Sequence, residues 1–160
     1  MKQLTAIDAS ALILTYFDNK GDLISNKKLQ KLLYYVEAWS LVHTESFIKE
    51  DFQAWVHGPV VPESYHRYKV FMYSPIVSSY APEETSGKRL ENIFKTIGEK
   101  QKSLVEDVLT RYGALNSFQL EMLSHSEYPW KSARGNISPF VHSTEVIKKD
   151  VMKAFYSSLL

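Results

Sequence analysis

Ala54-Trp55-Val56-His57-Gly58-Pro59-Val60-Val61-Pro62-Glu63-Ser64-Tyr65 is the stretch on which the reading of this chain turns. Trp55 and Val56 close a short extended segment and supply a large apolar anchor. Gly58-Pro59 is a strong breaker, because glycine reaches positive φ while proline fixes its own φ and has no N–H. Pro62 suits the first position of a helix, where a missing N–H costs nothing. The chain therefore comes in as a strand, turns sharply and leaves as a helix. Such a corner needs something large to hold it, and the helix before it supplies that.

That preceding helix is capped by Ser25 or Asn26 and ends near His43. Leu29, Leu32, Leu33, Val36 and Trp39 form its apolar stripe. Lys27, Lys28, Gln30, Lys31 and Glu37 are expected in solvent, with Tyr34 and Tyr35 on the flanks. Upstream, Thr5-Ala6-Ile7-Asp8 resembles a capping box with Asp in place of Glu. Ile7, Ala11, Leu14 and Phe17 share a helical face that Asn19-Lys20-Gly21 brings to an end. Phe47 to Val56 has no clean helical period and reads as a small hairpin or an irregular extended pair.

Beyond the corner, Pro62 to about Met72 reads as a third helix, stopped by Ser74-Pro75. Residues 74–88, with their prolines and serines, are expected to be a mobile loop. Leu90, Ile93, Phe94 and Ile97 predict a short helix broken at Gly98, and Glu99 to Tyr112 a longer one. Ser117 is expected to cap a helix carrying Phe118, Leu120, Leu123 and His125. Tyr128-Pro129-Trp130 makes a second aromatic–proline corner, and Lys131 to Ile137 reads as irregular. A last helix is expected from Ser143, with Ile147, Val151, Ala154 and Phe155 as its stripe. The fold class that follows is mainly α: a compact helical domain spanning 1–160, with a minor β-hairpin or extended element near residues 47–57.

Composition narrows the function classes. A chain of 160 residues with 44% hydrophobic and 23% charged content is long enough for a real core. A net charge of +1 argues against a dedicated nucleic-acid surface. With no cysteine, disulfides, thiol catalysis and thiolate metal sites are all excluded, in keeping with a cytoplasmic protein. The N-terminus lacks the pattern of a signal peptide, and no apolar run is long enough to cross a bilayer. Aromatic residues at 13% are the main packing resource and good binding material wherever they reach the surface.

No catalytic motif emerges. The histidines, His43, His57, His66, His125 and His142, never take the H-E-x-x-H arrangement, and neither a G-x-S-x-G elbow nor a phosphate-cradling loop is present. His57 is read as a hydrogen-bonding pin for the glycine–proline corner. His125 is read as a cap or packing group beside Trp130. A small hydrolase using His57 and His125 is the enzymatic alternative; the favoured reading has no catalytic residue, no metal and no cofactor. Tyr34 and Tyr35 point in adjacent directions, so at least one of them is expected at the surface, where tyrosine is a typical interface anchor.

Lys28-Leu29-Gln30-Lys31-Leu32-Leu33-Tyr34-Tyr35, then Trp39, then Phe52 through Tyr65, resembles the Panacea domain of the SocA-like antitoxin family, found also in phage-associated GepA-type proteins. Leu120 through Lys131, with His125, Pro129 and Trp130, resembles the same family's closing pattern, although Ser124 stands where threonine is common. The resemblance covers about residues 5–155 and implies a small helical domain without known catalytic residues. It further implies a bacterial antitoxin that neutralises, by direct binding, a protein toxin encoded by the adjacent gene. One branch looks like protease adaptors, which adds a cellular protease as a partner; a phage-associated regulator without a toxin is a further alternative. Many members carry an additional N-terminal DNA-binding region. This chain starts almost at the domain, so binding to its own promoter is not expected; the net charge of +1 and the lack of a long apolar run point to no specific nucleic-acid partner and no membrane. On this reading Lys28, Lys31, Tyr34 and Tyr35 face the partner. Trp39, Trp55, His57, Gly58, Pro59, Pro62, His125, Pro129 and Trp130 form the structural motif.

Overall fold

Helix α2 (Asn26–His43) is the axis of the molecule, and the other elements wrap around it in the computed structural model, which describes residues 2–77 and 87–160. Its N-cap is Ser25, whose hydroxyl accepts from the Lys28 N–H at 3.2 Å. Helices α1 (Ala6–Asp18), α3 (Pro62–Tyr68), α4 (Gly87–Gly113), α5 (Ser117–Ser126) and α7 (Lys149–Ser157) all pack against it, as does strand β2 (Gly58–Val60). The apolar stripe from Leu29 to Trp39 is buried as expected.

The polar face is not where the pattern puts it. Gln30, Lys31, Glu37 and Ser40 are buried, and so are Tyr34 and Tyr35. Glu37 accepts from the backbone N–H groups of Phe47 and Ile48 at 2.8 and 2.7 Å. Gln30 accepts from the Val61 N–H and donates to Asn26 Oδ1 and Ser64 Oγ. Ser40 accepts from Gln101 Nε2 at 2.7 Å. These side chains satisfy backbone and side-chain groups of segments that cross the helix, which makes burial tolerable. Period alone cannot distinguish a solvated polar face from one that serves neighbouring segments.

The expected extended element near 47–57 is a hairpin. Strand β1 (Phe52–Trp55) pairs antiparallel with β2, Trp55 opposite Gly58. A third strand, β3 (Val146–Ile147), lies on the other side of β1 and gives the order β2-β1-β3. Pro59 therefore occupies an edge strand, where its missing N–H breaks no ladder. Gly58 has φ +104°, as the corner requires. Helix α3 begins at Pro62 and gives way to a 3-10 turn over Lys69–Phe71, so the expected helix to Met72 changes character at its end.

At the N-terminus, Thr5 caps α1 by accepting from the Asp8 N–H at 3.1 Å. The Asp8 carboxylate is drawn to Arg89, 2.6 Å away, while Glu50 accepts from the Ala6 N–H. Helix α4 is kinked at Gly98 (φ 72°, ψ 169°), where the sequence places a break. Helix α5 is capped by Asn116, one residue before Ser117, in a reciprocal box with Gln119.

Two expectations near the C-terminal end are corrected. The segment read as irregular from Lys131 forms most of α6 (Tyr128–Arg134), with Pro129 in its first turn and Gly135 at its end. The helix expected from Ser143 is instead strand β3 followed by α7. Ile147 is opposite Phe52 in the sheet, and α7 buries Met152 and Tyr156 rather than Val151, Ala154 and Phe155. The start of the expected 74–88 loop is tied down: Pro75 bridges to Ser25, and the Ile76 N–H donates to the Ile24 carbonyl. Residues 78–86, which make up most of that loop, lie outside the described residues. Among the described residues no helix is long and apolar enough to cross a membrane.

Candidate functional site

The two sequence blocks meet in space. Gly58 lies so close to α2 and α5 that a Cβ there would sit 2.6 Å from Lys31 Cε and 2.9 Å from Ser124 Oγ. The Lys31 ammonium donates to the Pro59 carbonyl at 3.1 Å. The Trp130 indole N–H donates to the Trp55 carbonyl at 2.9 Å, and Arg134 donates to the Ala54 carbonyl at 2.8 Å. His125 stacks on Trp130 with ring centroids 4.0 Å apart. Together α2, the hairpin and the α5–α6 corner form one interlocked junction. Trp39, on the far part of α2, donates its indole N–H to the Tyr112 hydroxyl and also serves packing.

His57 holds the corner through Glu121: its Nδ1 is 2.8 Å from Oε1, while its side chain remains 73% exposed. Lys27 pairs with the other oxygen of the same carboxylate. Burial would raise the Glu121 carboxyl, but the hydrogen bonds from Lys27 and His57 outweigh it and hold the group below its usual range. Burial pushes His125 below the ordinary histidine range, the Lys31 charge adding to that and Glu121 opposing it. Lys31 itself is deeply buried, and burial brings its ammonium down to about 7, against a partial counter-effect from Glu121.

Beside this junction opens a cleft of about 490 Å³. Lys31 is on its floor. Trp55, Tyr65 and His142 form an aromatic wall, with Trp55 and Tyr65 edge-to-face at 4.8 Å. Lys27, His57 and Lys69 add cationic or titratable nitrogen, and among the described residues that line the cleft none is acidic. Met72 and Tyr73 form the outer lip, 73% and 90% exposed. A groove with an apolar wall, a buried cation and exposed aromatic edges is suited to binding. Among the described residues no group of three or more His, Asp or Glu side chains is placed to hold a metal ion.

Of the residues expected to face a partner, none forms an exposed face. Lys31, Tyr34 and Tyr35 are 1%, 1% and 0% exposed. Lys28 is half-buried, with its ammonium donating to the Gly113 carbonyl at 2.7 Å, where it closes the end of α4. The tyrosines belong to an internal polar cluster. Glu127 accepts from Tyr35 at 2.5 Å and from Tyr156 at 3.0 Å, and Tyr35 stacks on Tyr112 at 4.1 Å. Adjacent helical positions both reach the interior here because α7 covers one side of α2 and α4 another. Burial raises the carboxyl of Glu127 and the hydroxyls of Tyr34 and Tyr35.

The cleft residues that the sequence reading overlooked are Lys69, Met72, Tyr73 and His142. Their positions follow no period, since they come from a 3-10 turn, the two residues after it and the loop between α6 and β3. The trace available in the sequence is the run of apolar and aromatic residues, Val70 to Tyr73, just before Ser74-Pro75, a place where a core helix would ordinarily have ended.

A family model described as "Antitoxin SocA-like, Panacea domain" matches residues 29–131, well over half of the chain. Those residues run from within α2 into α6 and include Lys31, Gly58, Ser124 and Trp130 of the junction, but not Arg134. No curated protein and no solved structure matches the chain.

Proposed function

The chain belongs to the SocA-like antitoxin, Panacea-domain family, and from that membership we propose that it is the antitoxin of a toxin–antitoxin pair, binding a protein toxin directly. The family match is the observation that carries this reading. In it, the protein acts as a single cytoplasmic domain and performs no chemistry of its own; it covers the toxin's active surface or holds the toxin in an inactive form. The toxin is the product of the adjacent gene. The interlocked junction suits a rigid scaffold, since its corner is fixed by Lys31, Glu121 and Trp130 rather than by loop contacts. A pre-organised surface loses less entropy on binding than a flexible one.

Co-expression tests the proposal. Each adjacent gene product is induced alone and together with this chain, with growth rescue and co-purification as the two readouts. Rescue accompanied by a stable complex is the expected result. Toxicity that this chain never relieves would remove the antitoxin reading. A complex that leads only to loss of the partner protein would instead favour a protease adaptor.

A further inference from the structure

We propose that the cleft beside the junction receives an acidic side chain on an extended segment of the partner protein, with that segment's aromatic or apolar residues resting on Trp55 and Tyr73. The inference rests on the antitoxin reading for the identity of the partner, but its geometry stands on the cleft alone.

The floor is the first observation. The Lys31 ammonium has three N–H donors. Among the described residues its one hydrogen-bond acceptor is the Pro59 carbonyl, at 3.1 Å. A buried ammonium with unused donors is costly, and an incoming carboxylate would supply both acceptors and opposite charge. Glu121, the carboxylate whose charge acts on Lys31, is already engaged by Lys27 and His57. With Lys69 also lining the cleft and no acidic lining residue described, the charge is complementary to an acidic group.

The lip is the second observation and favours a protein segment over a free anion. Val70, Met72 and Tyr73 are 61%, 73% and 90% exposed, in one short turn at the mouth of the cleft. Met72 is also held at φ 52°, a backbone conformation that side chains rarely adopt. A small anion reaching Lys31 would leave this apolar surface in water, whereas the residues flanking an acidic side chain would cover it. Methionine and aromatic side chains adapt readily to partners of different shape.

The probe is a random-peptide phage library selected on the full-length chain, followed by titration of the enriched peptides. Enrichment of Asp or Glu next to an aromatic residue is expected. Affinity should fall by at least about tenfold in Lys31→Met, in Lys69→Glu and in Tyr73→Ala, and when the peptide's acid is replaced by its amide. Lys153→Glu, on α7 and away from the cleft, should leave binding unchanged. Melting temperature confirms that each variant folds, and Lys69 and Tyr73 are exposed enough that folding does not depend on them. Peptides without acidic residues, or equal binding by all three cleft variants, would overturn the proposal. Full competition by acetate or inorganic phosphate would overturn it in favour of a small-anion site. The growth assay separates the two readings. Rescue by wild type and equally by the cleft variants defeats the cleft while keeping the antitoxin; acidic-peptide binding at the cleft without rescue of any adjacent toxin defeats the antitoxin while keeping the cleft.

Discussion

Lys31 Cε would meet a Cβ on Gly58 at 2.6 Å, so this glycine and this lysine exclude any larger neighbour in each other's place. The relationship sets an α2 side chain directly against hairpin backbone at the corner itself, where Lys31 also donates to the Pro59 carbonyl. Gly58→Ala should therefore destabilise the protein by about 2 kcal/mol, from the strain of a side chain at positive φ and from displacement of Lys31 and Ser124. Denaturant titration measures it; an unchanged midpoint would show that the corner relaxes freely.

Lys31 gives stability a pH dependence of definite sign. Its folded-state value, about 7, lies below the ordinary lysine value of 10.5, so between these two the unfolded chain binds more protons and stability rises with pH. Below about 7 both states are protonated and the full burial penalty is present. The slope from this group is at most about 1.4 kcal/mol per pH unit in that window. Glu121 and Lys27 are the charged groups acting on it. Lys31→Met should be more stable than wild type near neutral pH, with the gap closing as pH rises toward 10. A gap independent of pH would mean that the lysine is not buried as charge.

The Glu127 cluster should discriminate between loss of charge and loss of acceptor. Burial raises this carboxyl, so its contribution favours folding below the ordinary glutamate range and is lost as pH climbs through the raised value. Glu127→Gln keeps an acceptor for Tyr35 and Tyr156 and should be neutral or stabilising at pH 7. Glu127→Ala leaves two buried hydroxyls without their acceptor and should cost about 2–4 kcal/mol. Thermal unfolding of both variants at acidic and neutral pH checks the pair.

Tyr35→Ala should cost about 3–5 kcal/mol through the cavity it leaves in the core. Loss of toxin rescue by this variant would therefore report on folding, and hydrogen exchange on the purified variant is the measurement that reveals it. Protection equal to wild type across α2 would contradict the burial.

Met72 (φ 52°, ψ −117°) and Gly135 (φ 55°, ψ −125°) share a backbone conformation, but only one of them is a glycine. Met72→Gly should relieve strain and raise stability by about 0.5–1 kcal/mol. The side chain is exposed, so its removal costs little packing. A lowered midpoint would show that Met72 is anchored after all.

What could be read in advance was whatever local chemistry decides. Gly58, Pro59 and Pro62 each have backbone limits that hold in any fold, and the hairpin and the start of α3 followed from them. Gly98 marked its kink for the same reason. What could not be read was the surroundings of α2. Gln30, Lys31 and Glu37 carry the polarity of a solvated face, yet each serves a backbone or side-chain group from another element. Spacing along one helix contains nothing about those partners. The cleft was hidden likewise, since Lys31, Trp55, Tyr73 and His142 come from segments with no shared period.

Helix α2 forms early in the chain, but the hydroxyls of Tyr34 and Tyr156 that close over it are separated by 122 positions. Until α7 has been synthesised and docked, a helix carrying Leu33, Tyr34, Tyr35 and Trp39 has one flank uncovered. Contacts this distant in sequence form late, because loop-closure entropy must be met before they contribute. A chain ending before residue 149 would lack Tyr156 and so leave the flank of Tyr34, Tyr35 and Trp39 that it covers open to solvent. In this architecture the last helix to be made is the one that closes the core begun by the second.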